Sequence, residues 1–199
     1  IIKYFIESWN MNFNSDIRII KQLPTEHYFN KGIKFLINYF LKNFPFKDNT
    51  IATEKKIFIN LDEENNYRLI GYIDRLVHHQ NTNVFEIHDY KTGNIKSQEE
   101  INKDWQLALY SIAIRNSFEN VKEVFLIWHF LEYNQEIKSR RTIEELENLK
   151  KRVIDLINKI ESTTSFQANP GYLCNWCEFQ NNCPAFKQKE KEIKEKLYY

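Results

Sequence analysis

Two carboxylates and a lysine on neighbouring predicted strands are the residues of this chain best suited to chemistry. Asp89 and Lys91 lie two positions apart on one strand, so both side chains leave the same face. Asp74 lies near the end of the preceding strand, and a hairpin would bring it beside Asp89. Two adjacent carboxylates repel each other unless a cation lies between them, and Mg²⁺ takes oxygen ligands of this kind. Lys91 would then hold an attacking water or stabilise charge that develops on a phosphate.

An isolated D-x-K pattern is a weak signal, because the same residues are common on an exposed strand face without any chemical role. The surrounding pattern supplies the strands that the site needs. Residues 67–78 and 83–90 read as strands, and the turn-forming residues between them predict a hairpin. The other predicted elements are a helix at 33–41 that ends before Pro45, a strand at 52–60, a helix capped by Ser97 that carries Ile101, Trp105, Ala108, Leu109 and Ile112, a central strand at 121–131, an edge strand at 135–141 and a long helix that begins at Thr142. This order predicts an α/β fold with a mixed central β-sheet flanked by helices.

Two residues of the helix after the hairpin could join the site. Gln106 and Tyr110 are spaced i, i+4, so they share one helix face and both could point at the same place. A surface glutamine beside a core tyrosine is the other interpretation of this pair. Glu54, on the strand before Asp74, is a further candidate for a supporting role.

Length and composition limit the function classes. The chain has 199 residues, which suits a single domain spanning 1–199, and 42% hydrophobic with 28% charged residues is typical of a soluble globular protein. The net charge of +1 excludes a bulk basic field, so phosphates would have to meet local cations such as Lys96 and Lys103. The sequence contains no apolar run of about 20 residues and no basic start of a signal peptide, which predicts a cytoplasmic protein.

Three motifs together resemble the RecB-like branch of the PD-(D/E)XK nuclease superfamily. They are GYIDR at 71–75, IHDYKTG at 87–93 and QLALY at 106–110, in the order and spacing of that family. The resemblance implies a restriction-endonuclease-like core that cleaves DNA phosphodiesters with Mg²⁺ or Mn²⁺. It also implies a role for each site residue: Asp74, Asp89 and the main-chain carbonyl of Tyr90 as metal ligands, Lys91 as the catalytic lysine, and Gln106 and Tyr110 as residues that orient the lysine and contact substrate.

Three cysteines, Cys174, Cys177 and Cys183, lie within ten residues of one another. An odd number so close together is a poor disulfide framework, so metal ligation is the better use of these thiols. The segment PGYLCNWCEFQNNCP resembles the cysteine cluster of iron–sulfur members of the superfamily, including AddB-type helicase–nuclease subunits and CRISPR adaptation nucleases. That resemblance implies a [4Fe–4S] cluster, whose fourth cysteine the family places upstream, together with a metal-binding histidine that His27 does not match.

Both upstream ligands are missing from this sequence, which predicts a fragment without its natural N-terminal segment. We therefore expect a [4Fe–4S] cluster in the full-length protein and an absent or incomplete one in this chain. Residues 170–185 would form the cysteine cluster, with the three thiols close together, and residues 186–199 a charged helical tail.

The sequence thus predicts a metal-dependent DNA nuclease, with exonuclease activity in repair, recombination or defence. Its partners would be DNA and a helicase or other DNA-processing subunit. A catalytically silent DNA-binding module of a helicase–nuclease complex is the main alternative, and a structural zinc or iron–sulfur domain is another. Neither alternative requires Asp74, Asp89 and Lys91 to occur together.

Overall fold

A computed structural model describes residues 1–14, 17, 19 and 23–187. Most of the predicted charged tail, from residue 188 onward, lies outside the described residues. The elements are α1 (Ile2–Asn12), α2 (Thr25–Asn43), β1 (Thr50–Asn60), β2 (Arg68–His79), β3 (Val84–Lys91), α3 (Gln98–Lys103), α4 (Gln106–Ser117), β4 (Glu123–Phe130), β5 (Gln135–Ser139) and α5 (Ile143–Ser162), followed by the short 3₁₀ turns Tyr172–Trp176 and Gln180–Asn182.

Five strands form one mixed sheet in the order β1-β2-β3-β4-β5. The β1–β2, β2–β3 and β4–β5 pairs are antiparallel, whereas β3 and β4 run parallel and are connected through α3 and α4, as a parallel pair requires. The predicted hairpin of β2 and β3 is confirmed, and β5 is the predicted edge strand. The α/β fold with a mixed sheet flanked by helices is therefore confirmed, with β4 an interior strand.

One face of the sheet packs against α4 and α5 to form the hydrophobic core. Helix α4 is buried through much of its length, because it packs against β1, β3 and β4 and against α5. The other face is covered in part by α2, whose Tyr39 contacts the rings of Tyr90 and His129. The core contains large apolar side chains from every strand except the edge strand β5: Ile57, Ile59, Ile73, Leu76, Phe85, Ile87, Leu126, Trp128 and Phe130.

The predicted single helix after Ser97 is wrong, because the structure divides it into α3 and α4. Ser97 begins α3 with a capping box, as predicted. The chain then turns at Asp104, whose carboxylate accepts the Gln106 amide hydrogen bond at 2.9 Å, while Arg141 donates to the carbonyls of Ile101 and Asp104 at 2.9 and 3.2 Å. These bonds satisfy backbone groups at both sides of the break and place Gln106 at the start of α4.

The long C-terminal helix begins as predicted. Thr142 and Glu145 form a second capping box at the start of α5. Across the described ranges, no helix is both long and apolar enough to cross a membrane.

Candidate active site

Asp89 and Lys91 lie on the face of β3 that packs against α4, and they form an ion pair. Lys91 Nζ is 2.7 Å from Asp89 Oδ2. Asp89 is 4% exposed, whereas Lys91 is half-buried and reaches solvent. The two-residue spacing on a strand is what brings these side chains together.

Asp74 joins the same site from the neighbouring strand. The last paired residues of β2 and β3 are Arg75 and His88, so Asp74 lies just beyond the paired part of the hairpin. Its Oδ2 accepts the main-chain hydrogen bond of Tyr90 at 2.9 Å. The Asp74 carboxylate is therefore held against the backbone of the residue whose carbonyl was predicted as a metal ligand.

Gln106 connects the lysine to the aspartate. Its Oε1 accepts a hydrogen bond from Lys91 Nζ at 3.0 Å, and its Nε2 donates to Asp89 Oδ1 at 3.1 Å. The same Nε2 is 3.5 Å from the hydroxyl of Tyr110, one turn further along α4. The structure thus brings Asp89, Lys91, Gln106 and Tyr110 into one connected group.

Asp89 is in an environment that disfavours its negative charge. Burial raises the pKa of this carboxyl, the ion pair with Lys91 opposes the shift, and the charges of Asp74 and Asp104 add to the rise. Lys91 Nζ lies 2.7 Å from Oδ2, so its ammonium compensates part of this buried charge. A divalent cation between Asp74 and Asp89 would compensate more of it.

These residues fit a hard divalent cation. Asp74 and Asp89 offer two carboxylates and Tyr90 offers a nearby main-chain carbonyl, and Mg²⁺ typically uses one or two carboxylates while water and phosphate oxygens complete its shell. Within the described ranges, no three His, Cys, Asp or Glu side chains are grouped so that they could hold a metal ion by themselves. Ligation of a cation by Asp74, Asp89 and Tyr90 stays a prediction.

Gly71, at the start of the first motif, has a steric role. A Cβ atom at this position would lie 2.5 Å from Cε1 of Tyr110. The absence of a side chain at Gly71 therefore leaves room for the Tyr110 ring beside the strand that carries Asp74. At Gly93, in the second motif, a Cβ would meet nothing within 4 Å.

A polar and aromatic layer lies on the face of the sheet opposite Asp89 and Lys91. This back layer consists of Arg75, His88, Tyr90 and His129. His88 and His129 stack with ring centroids 5.1 Å apart, and His129 also stacks on Tyr90 at 4.8 Å. Arg75 Nη2 lies 2.8 Å from His88 Nδ1, and His129 Nε2 lies 2.8 Å from the same atom. A guanidinium can only donate, so His88 Nδ1 is the acceptor for Arg75.

The buried environment of the back layer favours the neutral form of both of its histidines. Burial lowers the pKa of His88. Burial and then the charge of His88 lower the pKa of His129 to about 4. The sequence analysis included Arg75 in the GYIDR motif but gave neither Arg75 nor His129 a role, because their contacts with His88 join residues 13 and 41 positions apart.

Several other predicted residues lie away from the connected group. Lys96 pairs with Asp104 at 2.8 Å and Lys103 with Glu99 at 2.6 Å, so each of these lysines already has a carboxylate partner. Glu54 is exposed, with a backbone φ of 47°. His27 is exposed near the start of α2.

None of the three cysteines predicted to form a cluster is in a disulfide. Cys174 and Cys183 are half-buried and Cys177 is exposed. The Cys174 sulfur accepts a local hydrogen bond from the Gly171 amide at 3.3 Å, within a segment of short 3₁₀ turns. No group of three His, Cys, Asp or Glu residues that could hold a metal ion occurs among the described residues, and a shared centre for these thiols stays a prediction.

Comparison with known proteins identifies the superfamily. A solved structure titled "Crystal structure of SSO0001" aligns over 92% of this chain and 81% of its own, with 15% sequence identity and a TM-score of 0.44, which is too low to support an argument. No curated protein matches the chain. A family model described as the PD-(D/E)XK nuclease superfamily matches residues 16–184, a span that includes every residue of the connected group. The chain therefore belongs to the PD-(D/E)XK nuclease superfamily.

Proposed function

We propose that this protein is a divalent-metal-dependent deoxyribonuclease, an exonuclease of the RecB-like branch that acts in cytoplasmic DNA repair, recombination or defence. Superfamily membership supports a metal-dependent nuclease. The observation that carries the proposal is the buried Asp89 carboxylate, joined to Lys91 and Gln106 and close to Asp74.

Asp74, the Tyr90 carbonyl and the residues of the connected group have distinct roles in this proposal. Asp74, Asp89 and the main-chain carbonyl of Tyr90 would hold Mg²⁺ or Mn²⁺. A bound cation of this type would neutralise charge on a phosphate oxygen and make a bound water more acidic. Lys91, whose ammonium reaches solvent beside the carboxylates, would hold the attacking water and stabilise the negative charge that develops on the phosphate.

Gln106 would fix the lysine for this role. Its amide satisfies Lys91 and Asp89 at once, so the ammonium cannot rotate away without losing a hydrogen bond. Tyr110 supports the amide from one turn below. A silent DNA-binding module would have no need for this pairing of a buried carboxylate with a positioned ammonium.

The test compares linear with closed circular DNA. The protein is incubated with Mn²⁺ and either end-labelled linear DNA or covalently closed circles, alongside Asp89→Asn and the control Asp155→Asn, which alters an exposed aspartate of α5. We expect the wild type and the control to degrade linear DNA, spare the circles and release end label, and Asp89→Asn to be inactive. Activity retained in Asp89→Asn would contradict the site assignment, and cleavage of circles would contradict the exonuclease.

The iron–sulfur cluster stays a separate prediction. A [4Fe–4S] cluster takes four cysteine thiolates, and this sequence supplies three. We expect anaerobic reconstitution of the 199-residue chain to give substoichiometric, labile iron. A stable cluster with full iron content would show that a ligand other than cysteine completes the site.

A further inference from the structure

The antiparallel ribbon of β1 and β2 has one face in the core and the other in solvent. Its inner face contributes Ile57, Ile59 and Ile73 to the core below α4. Its outer face presents five side chains at alternating positions, which we call the outer platform. The outer platform consists of Lys56, Phe58, Arg68, Ile70 and Tyr72.

The three apolar members of the outer platform are unusually exposed for their size. Phe58 is 50%, Ile70 58% and Tyr72 52% exposed. Phe58 is paired with Ile70, and the next pair on this face is Lys56 with Tyr72, so the two rings occupy diagonal positions of one ladder. Contiguous exposed apolar groups of this kind mark a binding surface more often than isolated ones do.

Both cations of the outer platform lie over the same ring. Lys56 Nζ is 5.4 Å and the Arg68 guanidinium 5.5 Å from the centroid of Phe58. In the part of the chain that the structure describes, neither cation forms an ion pair with a carboxylate. Their charge is therefore available to an anionic partner, in contrast to that of Lys96 and Lys103.

We propose that the outer platform binds single-stranded DNA, with bases stacked on Phe58 and Tyr72 and phosphates near Lys56 and Arg68. Aromatic side chains interleaved with cations are how proteins hold single strands without reading sequence. Diagonal side chains of a ladder are roughly 7–8 Å apart, which neighbouring bases of an unstacked strand can span. This inference rests on the proposed function, because it assigns a strand-holding surface to the same nuclease.

Two features favour a nucleic acid over a protein partner. Protein interfaces are depleted in lysine, whereas the outer platform has Lys56 beside its exposed ring. Neither Lys56 nor Arg68 forms an ion pair with a carboxylate among the described residues, and two uncompensated cations beside aromatic rings favour an anionic polymer over a protein surface of mixed charge.

The inference is tested by binding without cleavage. Fluorescence anisotropy in EDTA measures the affinity of labelled dT12 and of a 12-base-pair duplex for the wild type, Phe58→Ala, Tyr72→Ala and the conservative variants Phe58→Tyr and Tyr72→Phe. We expect each alanine variant to lose roughly 5- to 100-fold in affinity for dT12. The conservative variants should keep the affinity, because they keep the ring. Duplex binding should change less than twofold.

Two controls define the cause of the loss. Phe166→Ala removes a 74% exposed ring outside the outer platform and should leave dT12 binding unchanged. The double variant Lys56→Gln/Arg68→Gln removes two phosphate partners and should flatten the salt dependence, reducing the slope of log K against log salt by about 1.4. Thermal unfolding checks that each variant keeps the wild-type fold, as expected for half-exposed side chains.

The outcomes separate this inference from the proposed function. Wild-type affinity for dT12 in both alanine variants would overturn the inference while leaving the nuclease intact. Self-association of the wild type that Phe58→Ala and Tyr72→Ala lose, with unchanged dT12 binding, would assign the surface to a protein interface and also overturn the inference. Failure to cleave DNA with Mn²⁺ would end the proposed function, yet the anisotropy measured in EDTA would still decide whether the outer platform binds single strands.

Discussion

Replacement of Gln106 by alanine tests whether the site works as a connected group. The side chain donates to Asp89 Oδ1 at 3.1 Å and accepts from Lys91 Nζ at 3.0 Å, so its removal leaves the ammonium paired with Asp89 alone. In this variant we expect Lys91 to move toward the buried carboxylate or into solvent. Either change takes the ammonium away from the position that a reacting phosphate would occupy.

The size of the effect follows from the two hydrogen bonds. A hydrogen bond to a charged group contributes about 1.5–3 kcal/mol. Of the two hydrogen bonds, only the one to Lys91 fixes the ammonium. Water can reach the half-buried Gln106 side chain and replace the other bond. We therefore expect the activation free energy to rise by the contribution of one hydrogen bond. Because about 1.4 kcal/mol corresponds to a factor of ten in rate, kcat should fall roughly 10- to 100-fold. The KM for DNA should change less.

The assay is single-turnover cleavage of end-labelled DNA with saturating Mn²⁺. Gln98→Ala is the matched control, because Gln98 also makes two hydrogen bonds, at 3.0 Å to Asn102 and at 3.0 Å to the Lys138 carbonyl, but lies outside the site. If Gln106 acts through Lys91, the double variant Lys91→Ala/Gln106→Ala should be hardly slower than Lys91→Ala alone. Additive losses in the double variant, or a rate within twofold of wild type for Gln106→Ala, would refute the reasoning.

Three further outcomes follow from the structure. Lys91→Ala should lower turnover by orders of magnitude while calorimetry shows metal affinity nearly unchanged, because an ammonium stabilises charge without ligating the cation. Gly71→Ala should lower the free energy of unfolding in urea by about 1–3 kcal/mol, because its Cβ would meet the Tyr110 ring at 2.5 Å, whereas Gly93→Ala should not. The pKa of His129 is lowered to about 4 in the folded protein, so the unfolded chain binds a proton that the folded one does not once the pH falls below about 6.5. Unfolding in urea at pH 6.5 and pH 5 should therefore show a loss of about 2 kcal/mol that His129→Phe reduces.

The fold was predictable where its signals are local. The hairpin of β2 and β3 follows from apolar strand residues on both sides of a short polar turn, and the capping boxes at Ser97 and Thr142 are visible within four residues. The break between α3 and α4 was missed because the apolar spacing continues through Trp105 as if in one helix. What ends α3 is an arginine 37 residues downstream of Asp104, and the sequence around the break does not reveal it.

The candidate site was likewise predictable where its residues are close together in the sequence. The D-x-K spacing and the i, i+4 pair brought Asp89, Lys91, Gln106 and Tyr110 together, because the strand and helix periods fix those directions. The cysteine spacing allows a common centre without enforcing one, since a segment of short 3₁₀ turns has no fixed side-chain period, so the cysteine cluster stays a prediction.

The side chains of β3 alternate between the two faces of the sheet, so a change on one face can reach the site on the other. Alternation puts Asp89 on the α4 side and His88 and Tyr90 on the opposite side. The Tyr90 backbone is held by Asp74, while its ring stacks on His129 and its hydroxyl lies 2.7 Å from that of Tyr39. A substitution in the back layer can therefore shift the Tyr90 main chain, and with it the proposed carbonyl ligand, without touching any side chain of the connected group. The alternation of β3 that predicts Asp89 and Lys91 on one face thus also couples them to the opposite face, whose contacts are long-range in the sequence.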